Sequence, residues 1–516
     1  MADWISRDDR LPVPVSAYGP LHLLARQVHR LAETGRAHEA LEAADAYLAI
    51  ARTVHDEKTV RFLIQGKMYA ELALGRVTEA YPLALSLLHA QRAAGSVLGE
   101  AKALCDLAHV HMLRGHYVDC MRNLARAGVL LAETTTETDR HHSALCSFAE
   151  AATAAELYET AASAYEHLRH RTSSFDLVHA VTLLYWGLRL AHVGRADEAR
   201  TRLRRSAEIT HAWLENHSDP TVTAVHALAL AKLGETTIAE KLARPLIMEL
   251  RNGGSHQYAR MAHLALGISL RAHGFPHQAR REFIAARDLS EHGSRPDERP
   301  IIRFELALTA LDMDNGQPNK DLFEAIEGQV RELWRLRLQR LGMLRQARQR
   351  EEAEAARARA EHLVLRDPLT GLGNRRRFDV LMEAVSPVKN EPLTLLLIDL
   401  DHFKAVNDAH SHSAGDRVLR EVAAILRAHC RQGDEAVRYA GDEFVVFLNG
   451  DAAAGAEVGE RIRAAVAQAD ILTDVRMTVS VGVATWTPGL TGDDLFRAAD
   501  NRLYAAKWSG RNTTAA

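Results

Sequence analysis

The sequence predicts a multidomain chain. It reads as an N-terminal all-α helical-repeat solenoid, a helical, coiled-coil-like stalk, and a C-terminal α/β domain in the ferredoxin-like order. Three observations carry this. A glycine-centred element returns at a near-constant interval through the first 290 residues, a proline-free charged run spans 321–365, and short apolar strands follow in the last 150 residues or so. At 516 residues the chain is too long for one compact core, and its 47% apolar and 25% charged residues are those of an ordinary globular protein. A net charge of −3 gives no general attraction to nucleic acid or to an anionic membrane. Cys105, Cys120, Cys146 and Cys430 have no CxxC spacing, which fits a reducing compartment and offers neither a disulfide framework nor a zinc knuckle. The opening MADWISRDDRLPVP lacks the apolar core of a signal peptide. No segment approaches the ~20 apolar residues of a membrane span, so the expected location is the cytoplasm.

The repeat element has the form L-x-x-x-G-R-x-x-E-A, as in LAETGRAHEA (31–40), LALGRVTEA (72–80) and HVGRADEA (192–199). Its glycines are Gly35, Gly75, Gly115, Gly194, Gly234 and Gly274, and Glu156 takes the glycine's place in a degenerate copy. The spacings are 40, 40, 41, 38, 40 and 40 residues. Apolar residues at 3–4 spacing on both sides make each unit a pair of helices. The glycine ends the first helix in a left-handed conformation, and a small residue five positions later permits close approach. Such a pair cannot bury its own apolar face, so neighbours must stack. The pattern resembles tetratricopeptide repeats, at a longer period, over roughly residues 20–290. Two roles stand open for it: a groove for a peptide, partner protein or small signal, or a scaffold with no ligand. Tyr69, Tyr117, Tyr158 and Trp186 fit repeat packing better than groove contacts, and His141 and His142 fit solvent better than metal.

From 321 to 365 there is no proline, and Ile326, Val330, Leu333, Leu344 and Ala347 sit at helical spacings within an Arg-, Glu- and Ala-rich run. That pattern predicts a long solvated helix with a narrow seam, fit for a parallel coiled coil. The expected divisions are an extension at 1–19, repeats at 20–315, a stalk at 320–365 and a catalytic domain at 366–516.

The last domain reads as strand 393–400, helices through 429, strands 435–439 and 444–449, helix 453–468, strand 476–484 and helix 493–508. This β-α-β-β-α-β order belongs to the palm of many nucleotidyl-transfer enzymes. Asp399 and Asp401 end the first strand, and Asp442 and Glu443 occupy the hairpin turn, so two acidic groups are expected to meet. Crowded carboxylates call for an oxygen-loving divalent cation, and with Lys404, Lys507 and Arg511 nearby the chemistry indicated is phosphoryl or nucleotidyl transfer. No G-x-x-x-x-G-K-[ST] loop is present.

The segments RDPLTGLGNRRRF (366–378), IDLDHFKAVND (398–408), AGDRVL (414–419), RYAGDEF (438–444), VSVGVA (479–484) and ADNRLYAAKWSGRN (499–512) stand in this order. Together they resemble the GGDEF, or diguanylate cyclase, family. The resemblance implies condensation of two GTP to cyclic di-GMP and two pyrophosphates across a homodimer. It implies Mg²⁺ (or Mn²⁺) held by Asp399, the Leu400 carbonyl and Asp442, with Glu443 helping to activate the attacking hydroxyl. Asn407 and Asp416 match the guanine-recognising residues. The amides of His402 and Phe403, with Lys404, Lys507 and Arg511, match the triphosphate-holding set. RQGD at 431–434 matches the family's R-x-x-D site, where Arg431 and Asp434 bind the product as an allosteric inhibitor.

Two positions depart from the family pattern. Ala440 replaces the first glycine of GGDEF, which costs about 1 kcal/mol if positive φ is needed there. Ser411 replaces a glycine in a loop where the change looks mild. The alternative function is therefore a catalytically weak or degenerate domain that reports GTP or cyclic di-GMP. No hydrolase segment follows the closing helix, so degradation of cyclic di-GMP is not expected.

Overall fold

The computed structural model describes residues 21–33, 36–134, 138–168, 173–290, 298–313, 316–385, 392–431, 433–472 and 475–516. The expected N-terminal extension and Gly35 lie outside them. The chain divides into two compact units, residues 1–352 and 353–516.

The first unit is helical throughout its described residues, from His22–Glu33 to the long helix Gln317–Val364. Gly75, Gly115, Gly194, Gly234 and Gly274 have φ of 74°, 75°, 81°, 97° and 85°, and Glu156 adopts the same left-handed conformation at 58°. A second set of left-handed turns falls midway, at His55, Gly95 and Gly254, so each period holds two helices. The small residue five positions after each turn lies at a helix contact. Ala40, Ala80, Cys120, Ala161, Ala199, Ala239 and Ala279 are all 2% exposed or less. A larger side chain there would push neighbouring helices apart. Tyr158 and Trp186 are buried as expected, whereas Tyr117 is exposed. His142 is buried too, contrary to its expected solvation.

The helix expected at 320–365 is present and its first turns are mostly exposed, but from residue 330 one stripe of it is buried. Val330, Trp334, Arg337, Leu341 and Leu344 form a buried stripe at 3–4 spacing. Trp334 joins one apolar cluster of the repeats, and Leu341 and Leu344 another. Arg337 Nε donates to the Glu156 carbonyl at 2.7 Å and its guanidinium pairs with Glu159, while Arg340 pairs with the Glu156 carboxylate at 3.2 Å. The strained turn at Glu156 is thus held by arginines. The sequence reading placed Val330 and Leu344 on the seam but missed Arg337, because an arginine on an apolar seam reads as solvent-facing, although its methylenes and fork can be buried when paired.

The second unit carries a five-stranded sheet in the order β2-β3-β1-β4-β5. The strands are β1 (Leu393–Leu400), β2 (Glu435–Ala440), β3 (Glu443–Asn449), β4 (Val479–Thr485) and β5 (Thr514–Ala515). β1 is central and antiparallel to both β3 and β4. Leu396 and Ile398 face one cluster with residues of helices His412–His429 and Ala452–Gln468. Leu395 and Leu397 face another with Phe378, Leu495 and Leu503. Burial on both faces is why β1 reads as a continuous apolar run. The short β5 and helix Arg375–Glu383 went unread in the sequence. The run at 403–429 is two helices, broken at Ser411.

Candidate functional site

The register of the sheet brings the acidic residues together. Asp399 pairs directly with Glu443 across β1 and β3. The Leu400 amide donates to the Asp442 carbonyl at 3.3 Å, which ties the end of β1 to the hairpin turn. Lys507, on helix Gly492–Trp508, reaches over with Nζ 2.8 Å from Asp399 Oδ2. Burial raises the Asp399 carboxyl above the usual carboxylate range; Lys507 opposes the rise, and the Asp442 and Asp401 charges add to it. Burial also raises the Glu443 carboxyl, reinforced by Asp399 and Asp442 and opposed by Lys507. Like charges gathered at a half-buried strand end favour a divalent cation, so the donor set fits Mg²⁺.

Asp401 does not belong to this cluster. Its carboxylate accepts from Thr478 Oγ1 and Ser480 Oγ, each at 2.7 Å, and from the Asn512 amide at 3.0 Å. Both of its oxygens are thus hydrogen-bonded within the fold, making it a latch between the end of β1, the start of β4 and the C-terminal turn. Strand periodicity puts residues 399 and 401 on one face, but the chain has already turned at 401.

His402 takes a left-handed conformation, φ 61°, as it starts helix Phe403–His410. The first amides of that helix have no partner within it, and their dipole favours an anion. Lys404 is exposed at the same end. Asn407 folds over the next helix: a Cβ built on Gly415 would come within 1.9 Å of Asn407 Oδ1. Glycine at 415 therefore lets Asn407 lie next to the backbone that carries Asp416. Arg511 is exposed in a left-handed turn, φ 62°, after the closing helix.

The expected product site lies at the other end of the hairpin. Asp434 sits beside Asn449, six residues along β3 from Glu443, or about 20 Å at strand rise. Its Oδ1 accepts from the Asn449 amide and its Oδ2 from the Arg431 amide, each at 3.1 Å. The Asp434 side chain is 3% exposed and that of Arg431 70%, so of the pair Arg431 is the one presented to solvent.

The two departures from pattern exchange roles. Ala440 is an exposed, extended residue of β2 paired with Glu443 and has no positive φ. Ser411 is the strained one, at φ 94° and ψ 159°, a region that glycine enters freely and serine does not.

Arg438 is a positioning residue that sequence reasoning missed. Its Nε and Nη2 donate to the Gly441 carbonyl at 2.9 and 2.8 Å, and Nη1 meets Asp367 at 3.3 Å. The acidic turn is thus held from the loop that follows the long helix. The signal available was the charge pairing of RDPLT with RYAGD, which periodicity does not reveal.

Among the described residues, the trio whose ligand atoms all lie within 4.8 Å of one another is His111, His116 and Asp119, in the repeat region. Arg122 pairs with that aspartate at 3.3 Å. Asp399, Asp442 and Glu443 spread further apart.

The site is thus a central antiparallel strand that ends in carboxylates beside a hairpin turn. Residues 364–513 match the family model described as "Diguanylate cyclase, GGDEF domain". Diguanylate cyclase A of Treponema denticola is 41% identical over 145 residues, covering 26% of this chain and 39% of the relative. Diguanylate cyclase DgcS of Shewanella oneidensis is 38% identical over 149 residues, covering 28% of this chain and 50% of the relative. The chain thus spans half or less of these curated relatives. The crystal structure of the GGDEF domain of DgcB from Caulobacter crescentus in complex with c-di-GMP is 33% identical. It covers 29% of this chain and 94% of that one, with a TM-score of 0.28. No described helix is long and apolar enough to cross a membrane.

Proposed function

We propose that the chain is a diguanylate cyclase, condensing two GTP to cyclic di-GMP and two pyrophosphates. The observation that carries this reading is the direct pairing of Asp399 with Glu443 beside Asp442, with Lys507 leaning onto the group. Asp399, Asp442 and the Leu400 carbonyl would hold Mg²⁺, which supplies charge neutralisation at the transferring phosphate. Helix-start amides at His402 and Phe403, with Lys404, Lys507 and Arg511, bind the triphosphate. Asp416 accepts from the N1–H and N2 amino group of guanine and Asn407 adds a hydrogen bond to the same base, which selects guanine over adenine. The raised Glu443 carboxyl is suited to take the proton of the 3′-hydroxyl. Each domain binds one GTP, so two copies of the chain face each other, and Arg431 with its R-x-x-D turn binds product. The degenerate-domain alternative loses its main support, because Ala440 is extended and unstrained.

The helical region is proposed as a tetratricopeptide-like solenoid at 20–315 that takes a protein or peptide partner. The recurring left-handed turns and small packing residues support this. First helices of successive pairs also pack on one another, as Ser173–His192 on Pro220–Leu233 and that helix on His256–Ala272. The segment 320–365 links it to the catalytic domain at 366–516, in a cytoplasmic protein.

The test is incubation of the full chain with GTP and Mg²⁺, followed by chromatography for cyclic di-GMP. Product lost in Asp442→Ala, with the fold intact by circular dichroism, supports the cyclase; equal product from that variant removes the metal assignment. Arg431→Ala is expected to relieve product inhibition, and an unchanged inhibition curve returns the RQGD turn to a structural role.

A further inference from the structure

The helix Glu298–Met313 lies against a face made by the first helices of three successive repeat units. Its Glu305 is fully buried and pairs with Lys232, with Arg271 at 2.9 Å and with His192 Nε2 at 3.2 Å. Burial opposes ionisation of Glu305, yet Lys232, His192 and Arg271 outweigh it and hold the carboxyl well below its usual range. One helical heptad earlier, Glu298 accepts from Tyr185 and pairs with Arg260 at 2.8 Å. Ile301 and Ile302 fill the apolar space between, and Phe304 stacks on His192 with ring centroids 4.1 Å apart. The receiving groups come from Ser173–His192, Pro220–Leu233 and His256–Ala272, far from this helix in sequence.

Cations and carboxylates are matched on this face, Arg271 also lying 3.7 Å from Asp312 of the same helix. Lys232, Arg260 and Arg271 meet Glu298 and Glu305. Arg189 shares a stripe with Tyr185 and His192 and is fully buried, with Nε and both terminal nitrogens lacking hydrogen bonds. The Glu156 carboxylate lies 3.7 Å from it. Buried Ile301, Ile302, Phe304 and Ala307 give the helix an apolar seam, and the carboxylates at 298 and 305, each met by fixed cations, give that seam a charge pattern that a groove can read.

We propose that this face is the recognition site for an acidic amphipathic helix of a partner protein, and that residues 298–313 are its resident occupant. The partner helix carries two carboxylates seven residues apart around a branched apolar pair. It competes with the resident, and displacement acts on the long helix that begins at Gln317. This rests on the reading of the helical region as a partner-binding array and is independent of the cyclase reading.

The test is fluorescence anisotropy of a labelled peptide of sequence 298–313 added to the full chain and to two variants that loosen the resident, Glu305→Gln and Phe304→Ala. The expected result is at least tenfold tighter peptide binding by both variants than by the unaltered chain. Binding should disappear when both glutamates of the peptide are replaced by glutamine. Equal binding by all three chains, or binding indifferent to the peptide's glutamates, overturns the proposal. Light scattering of the variants without peptide addresses the other occupant: a doubled mass assigns the face to a second copy's own segment and overturns a foreign partner. Hydrogen exchange separates this proposal from the array reading. Faster exchange confined to 298–313 with no peptide binding overturns the recognition site and leaves the array intact. Faster exchange through 173–289 makes the helix a core element and overturns both.

Discussion

Restoring glycine at the two positions where the domain departs from its family should have opposite effects. Ser411 sits at φ 94°, ψ 159°, where a non-glycine residue carries strain on the order of 1–3 kcal/mol. Ser411→Gly relieves that strain. It loses about 0.5–1 kcal/mol to the greater freedom of the unfolded chain. It also loses the exposed Ser411–Ser413 hydroxyl contact at 2.9 Å, about 0.5 kcal/mol. The net expectation is a gain of about 1 kcal/mol, or roughly 2–4 °C in the unfolding midpoint of a domain of this size. Ala440 is extended and exposed at the end of β2, so Ala440→Gly removes no strain and costs about 0.5 kcal/mol or more. The assay is scanning calorimetry of the full chain, following the transition of the C-terminal domain. If Ala440→Gly stabilises and Ser411→Gly does not, the assignment of strain to residue 411 is wrong.

Two further predictions concern the site. Arg438→Ala frees the Gly441 carbonyl and Asp367, so the acidic turn is expected to loosen. The Mg²⁺ concentration for half-maximal turnover should rise at least tenfold while the domain loses about 1.5–3 kcal/mol. An unaltered Mg²⁺ dependence refutes the positioning role. For pH, the carboxyls of Asp399 and Glu443 are both raised in the fold, so the folded domain holds protons there more readily than the unfolded chain. Their favourable contribution is present at low pH and is lost as pH rises through the raised values. Without Mg²⁺ the domain should therefore gain relative stability on mild acidification, and Glu443→Gln should flatten that slope in a denaturant titration. With Mg²⁺, metal and protons compete, so the Mg²⁺ required should increase as pH falls through the same window.

The repeat period was readable because it is local: one left-handed turn and one small residue five positions later recur with every unit, even where Glu156 replaces glycine. The strands, their order and the acidic residues were readable for the same reason, since period-2 and period-3.6 patterns and short motifs are written in neighbouring residues. Partner choice was decided by tertiary structure. The pairing of Asp399 with Glu443, the latch at Asp401, the clamp of Arg438 on the turn and the strain at Ser411 all depend on backbone paths that converge from distant parts of the chain. The buried arginines of the long helix and the carboxylates of helix 298–313 were least readable. A charged residue is written in the sequence as solvent-facing, and only a fixed counter-charge supplied from elsewhere in the fold makes its burial favourable.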